Sequence, residues 1–395
     1  MRSAKRKSPR AYSNQNQVRL LRGGKEYFDC AMSLIAKAGQ SIHLQAYIYE
    51  DDETGRMVAD ALKEAAKRKV KVYLLVDGYA SQQLSKKFIA DIEEAGVSFR
   101  FFEPLLKSRR FYFGRRMHHK IMVVDSKYAL TGSKNISNRY NDLNGIKAWL
   151  DISLYIEGEI AKELCILCSK TWNGFKVTKK RFHNCDAGED FHFAKDIATD
   201  MRVRRNDWLH GKNQISASYA EMLRRSKHSI TILCSYFLPG QKIRSLLKRA
   251  AKRGVTIKVI VAGKSDVRIS KNAERWLYDW LLRYHIDVYE YEPSVLHAKT
   301  AIFDKEYVTL GSYNINNLSA YTSIELNVDI HKTSFAEELE NVLTDIIQNE
   351  TIHITAEQHI KTRNVFTQFV RWLSYQSLQL VLYIVTFYYR RNSLH

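Results

Sequence analysis

A chain of 395 residues is long enough for two domains of ordinary size, each with its own buried core. Its 62 lysines and arginines against 42 aspartates and glutamates leave a formal net charge of +20, which excludes a surface built to repel anions and points to nucleic acid or an acidic membrane as partner. Five cysteines, an odd number, with no secretory leader pattern at the start, argue against a disulfide framework and for free thiols in a reducing compartment.

Residues 1–14, MRSAKRKSPRAYSN, are a basic polar tail without an apolar run, expected to be solvated or to touch anionic lipid. Residues 15–175 read as a first α/β half. Alternation and helical spacing predict a strand at Gln17–Leu21, a helix at Lys25–Lys37 and a strand at Ser41–Tyr49 that ends in the acidic turn EDDETG. A helix at Arg56–Lys67, a strand at Val70–Val76, a helix at Lys86–Ala95 and a strand at Val97–Phe102 follow. The loop Glu103–Arg116 interleaves Lys107, Arg109, Arg110, Arg115 and Arg116 with Phe111, Tyr112 and Phe113. Such a loop suits lipid headgroups or stacking on single-stranded nucleic acid, and is equally compatible with a solvated basic loop whose aromatics turn inward.

The next stretch, within residues 113–139, carries the chemistry. MHHKIMVVDSKYALTGSKN, from Met117 to Asn135, returns as LHAKTAIFDKEYVTLGSYN from Leu296 to Asn314, within residues 292–318. His118, Lys120, Asp125, Gly132, Ser133 and Asn135 recur as His297, Lys299, Asp304, Gly311, Ser312 and Asn314, all at one offset of 179 (297 minus 118). Two residues apart on a strand, each His and Lys share one side. The apolar runs that follow, Ile121–Val124 and Thr300–Phe303, read as strands covered on both faces. Asp125 and Asp304 are expected to orient the imidazoles, and Gly-Ser-x-Asn to supply a close backbone approach and an amide donor. Two histidines beside two lysines and two asparagines suit a phosphodiester, since displacement through a covalent intermediate needs one neutral histidine as nucleophile and one protonated histidine as acid. One copy supplies one histidine, so the duplication predicts that the halves meet around a single site. A metal is not expected, because a lysine repels a cation. His119 has Ala298 as its counterpart and reads as a neighbour of the site.

Residues 176–213 read as a linker rich in charge and histidine, where His183, Cys185, Asp186, His192 and Asp196 lack any recognised metal-ligand spacing. Cys165 and Cys168, on an amphipathic segment, read as two core thiols one helical turn apart. The second half, residues 214–350, echoes the first again: LKEAAKRKVKVYLLVDG from Leu62 matches LKRAAKRGVTIKVIVAG from Leu247, an offset of 185 (247 minus 62). Helices alternating with apolar strands predict an α/β fold with mostly parallel sheets in each half. A strand at Ser229–Phe237, a helix at Glu274–Tyr284 and a closing helix at Phe335–Ile347 complete it. Residues 351–395 end in the uncharged, aromatic run Trp372–Tyr389 between Arg371 and Arg390, which suits an interfacial anchor or a shallow hairpin better than a full span; a helix packed on the protein is the other reading.

H-x-K-x4-D followed by G-S-x-N, twice, resembles the signature of the phospholipase D superfamily. RLLRGGKEYF, QAYIYEDDETG, LLVDGYAS, FGRRMHHK, SYFLPG and VLHAKT, spread over most of Gln17 to Asp329, are similar to the short bacterial form of cardiolipin synthase. The resemblance implies two tandem phospholipase D-like α/β/α halves related by pseudo-two-fold symmetry, with one shared active site. It implies a phosphatidyltransferase that makes cardiolipin from phosphatidylglycerol, with phosphatidylethanolamine as a further substrate, at the cytoplasmic face of the cell membrane, held peripherally or by its C-terminus. On that model His118 becomes the phosphatidyl-histidine and His297 serves as acid and base. Lys120 and Lys299 hold the phosphoryl group; Asn135, Asn314, Ser133, Ser312 and Glu325 bind substrate, with no cofactor and no nucleic acid. The chain departs from the family pattern at Leu150, where an arginine is usual before Asp151, and at Asn316 and Leu318, where an acid and an arginine are usual. The departures at Asn316 and Leu318 bear on substrate choice more than on the core chemistry. Hydrolytic phospholipase D, a nuclease of the superfamily and a non-catalytic lipid-binding scaffold are the alternatives.

Overall fold

The computed structural model describes residues 11–104, 115–143, 145–175, 185, 188, 190–361 and 364–392. Residues 1–10 of the basic tail, residues 105–114 of the aromatic loop, and His183 and Asp186 of the linker lie outside the described residues.

Two mixed sheets organise the chain. The first has seven strands, in the order Asn16–Arg22, Ile152–Gly158, Tyr128–Gly132, Lys120–Val124, Ser41–Ala46, Lys71–Asp77 and Ser98–Phe102. Only the last three run parallel to one another; the others pair antiparallel. The second sheet repeats this plan with Tyr307–Gly311, Lys299–Phe303, Ser229–Cys234, Thr256–Ala262 and Asp287–Tyr291. The expectation of mostly parallel sheets is therefore corrected, and the reason is local. After Val124 the chain turns through Asp125 and Ser126, at φ of 52° and 56°, and after Phe303 through Asp304 and Lys305, at 52° and 54°. Two consecutive residues at positive φ make the tight turn of an antiparallel hairpin, and Asp tolerates that conformation better than most side chains.

Helix and strand positions otherwise follow the hydrophobic periodicity closely: Gly24–Lys37, Glu53–Lys67 and Lys86–Glu94 are helices, and Gln241–Lys252 echoes the second of these. The segment read as one helix at Glu274–Tyr284 is two, Arg268–Trp276 and Tyr278–Arg283. The stretch read as linker is more than a connector. It contains the strand Asp200–Asp207, which pairs antiparallel with Ser323–His331 along seven residue pairs and so belongs to the second sheet. Its charges hid it: Arg202 and Arg204 are buried, with Arg202 bonded to the carboxylate of Asp329 at 3.0 Å.

The cysteine expectation is also corrected. Cys165 is joined to Cys185 by a disulfide, while Cys168, one turn along the helix Glu159–Trp172, is a buried free thiol as the core reading required.

The two halves are not beads on a string. One apolar core runs through both, joining Ile121, Ile152 and Leu164 of the first half to Leu326, Ile330 and Leu339 of the second, with further cores on the outer side of each sheet. The short strand Arg116–Met117, from the first half, pairs parallel with Ser323–His331 of the second. Leu150 and Leu296 make the corresponding bridge in the other direction.

The C-terminus is a single helix, Val365–Asn392, not a hairpin, packed along Arg268–Trp276. Among the described residues no helix is long and apolar enough to cross a membrane.

Candidate active site

The interlocking strands bring the two motifs together. His118 follows Met117 directly, and its backbone N–H donates to the carbonyl of Ile324 at 3.0 Å. The next residue on that strand, Glu325, accepts from His118 Nδ1 at 2.9 Å. The same construction is repeated in the other direction. The N–H of His297 donates to the carbonyl of Leu150 at 2.8 Å, and Asp151 accepts from His297 Nδ1 at 2.8 Å. Each motif histidine is thus held at backbone and ring by adjacent residues of the opposite half. With Nδ1–H engaged, the tautomer that leaves Nε2 with the lone pair is favoured at both rings.

The rest of each motif serves that pairing. Ser133 Oγ donates to Asp151 Oδ1 at 2.7 Å, and Ser312 Oγ donates to the same Glu325 oxygen that His118 uses. Gly132 and Gly311 let the serine strands come close enough: a Cβ on Gly132 would stand 2.6 Å from Ser153 Oγ, and one on Gly311 would stand 2.1 Å from the Leu326 carbonyl. Expected as substrate-binding groups, Ser133, Ser312 and Glu325 are placed by the structure inside the carboxylate network that positions the imidazoles.

Asp125 and Asp304 are corrected more sharply. Asp125 accepts from the backbone N–H groups of Gly39, Gln40 and Ser41, each at 2.8 Å. Asp304 does the same for Lys227, His228 and Ser229. Both sit at the far end of the motif strand, which at about 3.3 Å per residue puts them well beyond reach of the histidine that begins it. They fasten the hairpin turn to the start of the neighbouring strand; Asp151 and Glu325 orient the rings.

Lys120 Nζ donates to the His118 carbonyl at 2.6 Å and lies 5.0 Å from the centre of the Tyr47 ring. Lys299 Nζ donates to the His297 carbonyl and to Ser235 Oγ, the latter at 3.0 Å. Asn135 accepts from the N–H of Ile48 and donates to Tyr140 Oη, each at 3.0 Å, so one of its two amide hydrogens remains. Asn314 Oδ1 accepts from the Cys234 thiol at 3.9 Å. Tyr47 meets His118 edge-on at 4.8 Å and Tyr140 meets His297 at 5.0 Å, which walls the imidazoles with aromatic surface. His119 points away from the centre, its Nε2 2.8 Å from Gln45 Oε1.

Burial governs the protonation states. It lowers Lys120 to about 7, with Lys299 nearby adding to the shift, and lowers Lys299 to about 8. Desolvation and then Lys299 bring His297 down to about 3, and His118 is lowered mainly by desolvation, with Glu325 opposing. Burial alone would raise Asp151, but Lys134 and the bond from His297 outweigh it and hold the carboxyl at about 2; Glu325 is likewise held below its ordinary value by His118 and Lys120. The site therefore contains two carboxylates, two neutral imidazoles and two lysines whose protonated form an incoming anion favours.

Sequence reasoning gave Asp151 and Asp77 no role and took Glu325 for a substrate-binding group. Asp151 is an acid isolated between Leu150 and Ile152, as Glu325 is between Ile324 and Leu326, and an acid inside an apolar strand is the signal that could have marked both as partners of a buried cation or imidazole. Asp77, buried at the end of the strand Lys71–Asp77, accepts from the N–H of Met117 at 2.9 Å and so fixes the residue before His118.

This fold and this paired His-Lys site define a phospholipase D-like enzyme of phosphodiester transfer. The family model "Cardiolipin synthase, PLD-like domain" matches residues 31–151 and 219–347. The chain is 35% identical to cardiolipin synthase B of Salmonella typhimurium over 85% of its own length and 81% of that protein's, and 32% identical to cardiolipin synthase B of Escherichia coli K12 over 84% and 80%. In fold it is similar to the phosphatidylserine synthase of Haemophilus influenzae, with a TM-score of 0.71 and 14% identity over 94% of each chain. The chain belongs to the cardiolipin synthase family of phospholipase D-like phosphatidyltransferases, and its substrates are phospholipids.

The two carboxylate roles are separable by mutation. Glu325→Gln should lower kcat by a factor of about 10² to 10⁴, as loss of an imidazole-orienting carboxylate does, with the fold intact. Asp125→Ala should cost about 2 kcal/mol of stability through three uncapped amides, yet leave kcat within a few-fold of normal below its melting temperature. A crippled kcat in Asp125→Ala would return that residue to the catalytic group.

Phosphodiester affinity should depend on pH in a defined direction. An anion held by Lys120 and Lys299 needs both protonated, and burial lowers them to about 7 and about 8. Affinity for dimethyl phosphate, whose own charge is constant, should therefore be highest below pH 7 and fall roughly ten- to hundred-fold by pH 9, with proton uptake on binding. Calorimetry in buffers of different ionisation heat measures both; a flat profile excludes the depressed lysines as the anion site.

Proposed function

We propose that the chain transfers the phosphatidyl group of phosphatidylglycerol to the hydroxyl of a second lipid, making cardiolipin through a phosphatidyl-histidine on His118. The observation that carries this reading is the pair of imidazoles, each held at Nδ1 by a buried carboxylate of the opposite half, with Nε2 directed away from that partner.

His118 Nε2 attacks the phosphorus as the bond to the departing glycerol oxygen breaks, and that oxygen takes the proton from His297 Nε2. Burial and then Lys299 keep His297 neutral by itself, so it takes up a proton from solvent as substrate binds, the phosphodiester charge offsetting both. Lys120 and Lys299 meet the charge that builds on the non-bridging oxygens. In the second step neutral His297 removes the proton from the incoming hydroxyl, its oxygen attacks phosphorus, the P–N bond breaks, and His118 is restored. The side chain of His118 is the more accessible, 17% exposed against 10% for His297, which supports its role as the group that attacks first. Water in place of the second lipid would make the same residues a hydrolase.

The C-terminal helix supports work at a bilayer. Phe366, Phe369, Leu373, Leu380, Val381 and Ile384 are all exposed, and the helix also touches Asn317–Tyr321, just beyond the second motif. An apolar stripe on a chain of net charge +20 suits insertion into the headgroup layer of an anionic leaflet.

Purified enzyme with vesicles of labelled phosphatidylglycerol should yield cardiolipin and glycerol, and His118→Ala should yield neither while keeping its melting temperature. Phosphatidic acid as the sole labelled product would make water the acceptor and overturn the synthase reading.

Replacing Phe366 and Phe369 with Ser should weaken sedimentation with phosphatidylglycerol vesicles by about ten-fold or more, since each buried Phe contributes roughly 1.5–3 kcal/mol, with turnover of a detergent-dispersed substrate unchanged. Undiminished vesicle binding would remove this helix as the anchor.

A further inference from the structure

Away from the catalytic centre, the side chain with the least explained surroundings is His43. It lies inside the fully buried strand Ser41–Ala46, 4% exposed, and neither of its ring nitrogens has a hydrogen-bond partner. Buried polar side chains nearly always find partners, so two orphaned nitrogens on one ring ask for a reason. The flat face is occupied by Tyr73, stacked at 4.7 Å and 12°. The edge is what remains. One ring nitrogen there and the Sγ atoms of Cys165 and Cys185 all lie within 4.8 Å of one another, and all three residues are buried. Each sulfur has a hydroxyl beside it: Ser126 Oγ at 3.2 Å from Cys165 Sγ, and Ser169 Oγ at 3.3 Å from Cys185 Sγ.

We propose that His43, Cys165 and Cys185 form a binding site for a thiophilic divalent ion, of which zinc is the natural occupant, and that the Cys165–Cys185 disulfide is its oxidised, metal-free state. The inference stands apart from the catalytic proposal and uses none of its residues. Opening the site takes two electrons from a thiol reductant, which becomes a disulfide as two protein thiols form. Metal then binds the two thiolates and expels both protons, while His43 contributes only a lone pair.

Charge and ligand type both fit. Two thiolates, one neutral imidazole and a dication sum to zero, the shell that a low-dielectric core tolerates best. Zinc takes sulfur at about 2.3 Å and nitrogen at about 2.0–2.1 Å in a tetrahedron, which asks the three atoms to stand nearly 4 Å apart. Reduction frees the two sulfurs to part toward that spacing, and a fourth ligand such as water would complete the shell. Ser126 and Ser169 would then hydrogen-bond to the ligating sulfurs, the outer support such sites use.

The site also has a structural consequence. Cys165 is on the helix Glu159–Trp172, and His43 shares a strand face with Gln45, which donates to the Cys168 carbonyl at 2.9 Å and meets His119 beside the first motif. A metal would clamp that helix to that strand at a second point.

The test uses the full chain, reduced with a phosphine, freed of reductant under argon and titrated with cobalt(II), whose thiolate charge-transfer and tetrahedral d–d bands report its ligands. The expected result is one equivalent bound by the reduced protein and displaced by zinc, none by the oxidised protein, and at least ten-fold weaker binding in His43→Phe, which keeps the stack on Tyr73. In the unmutated reduced protein, zinc should protect Cys165 and Cys185, but not Cys30, from alkylation read by mass spectrometry. No cobalt spectrum together with no protection overturns the proposal, and so does a His43→Phe protein that is folded and binds as the wild type does.

Discussion

Everything at the centre of this enzyme depends on an exchange of carboxylates between its halves. His118 is aligned by Glu325, 207 residues away, and His297 by Asp151, 146 residues away. In both cases the backbone bond from the histidine N–H to the preceding residue, Ile324 or Leu150, sets the register in which the side chains meet. One hydrogen bond positions the chain and the next positions the ring. A two-point attachment of this kind removes the torsional freedom that an isolated imidazole retains, which is the form of preorganisation that matters when the acid and the nucleophile act on opposite sides of one phosphorus.

The same geometry explains why the site is so deeply buried without collapsing electrostatically. Two carboxylates and two lysines enclose two neutral imidazoles, and the lysines lie close to losing their protons when nothing is bound. A site already desolvated on the enzyme side presents lysines without a full hydration shell to shed, and the negative charge of a bound phosphodiester favours their protonated form. The aromatic walls of Tyr47, Tyr140 and Trp149 keep the surroundings dry around those charges.

How far the residues alone foretold this varies with the range of the physics involved. The motif strands, their helices and the joining of two halves were legible because they rest on local periodicity and on six polar landmarks repeated at one spacing. The partners of the histidines were not, since no rule of local spacing selects Glu325 for His118. Asp125 was the reasonable choice at a distance of seven residues, and it failed because a hairpin turn at positive φ carries its carboxylate to the opposite end of the strand, where three amides claim it. Asp200–Asp207 was read as linker for a related reason: its inward arginines are neutralised by Asp329, a partner supplied from another strand of the sheet. Long-range pairing, of charges and of strands alike, is where a one-dimensional reading loses its footing.

The order of synthesis gives the carboxylate exchange a further meaning. The first histidine leaves the ribosome well before the glutamate that aligns it, and the strand carrying that glutamate also joins Asp200–Asp207 to the rest of the second sheet. A growing or prematurely ended polypeptide therefore carries the first motif histidine without the carboxylate that aligns its ring. The aligned pair of imidazoles exists only once the strand Ser323–His331 is in place, so assembly of the site waits on the second half of the chain.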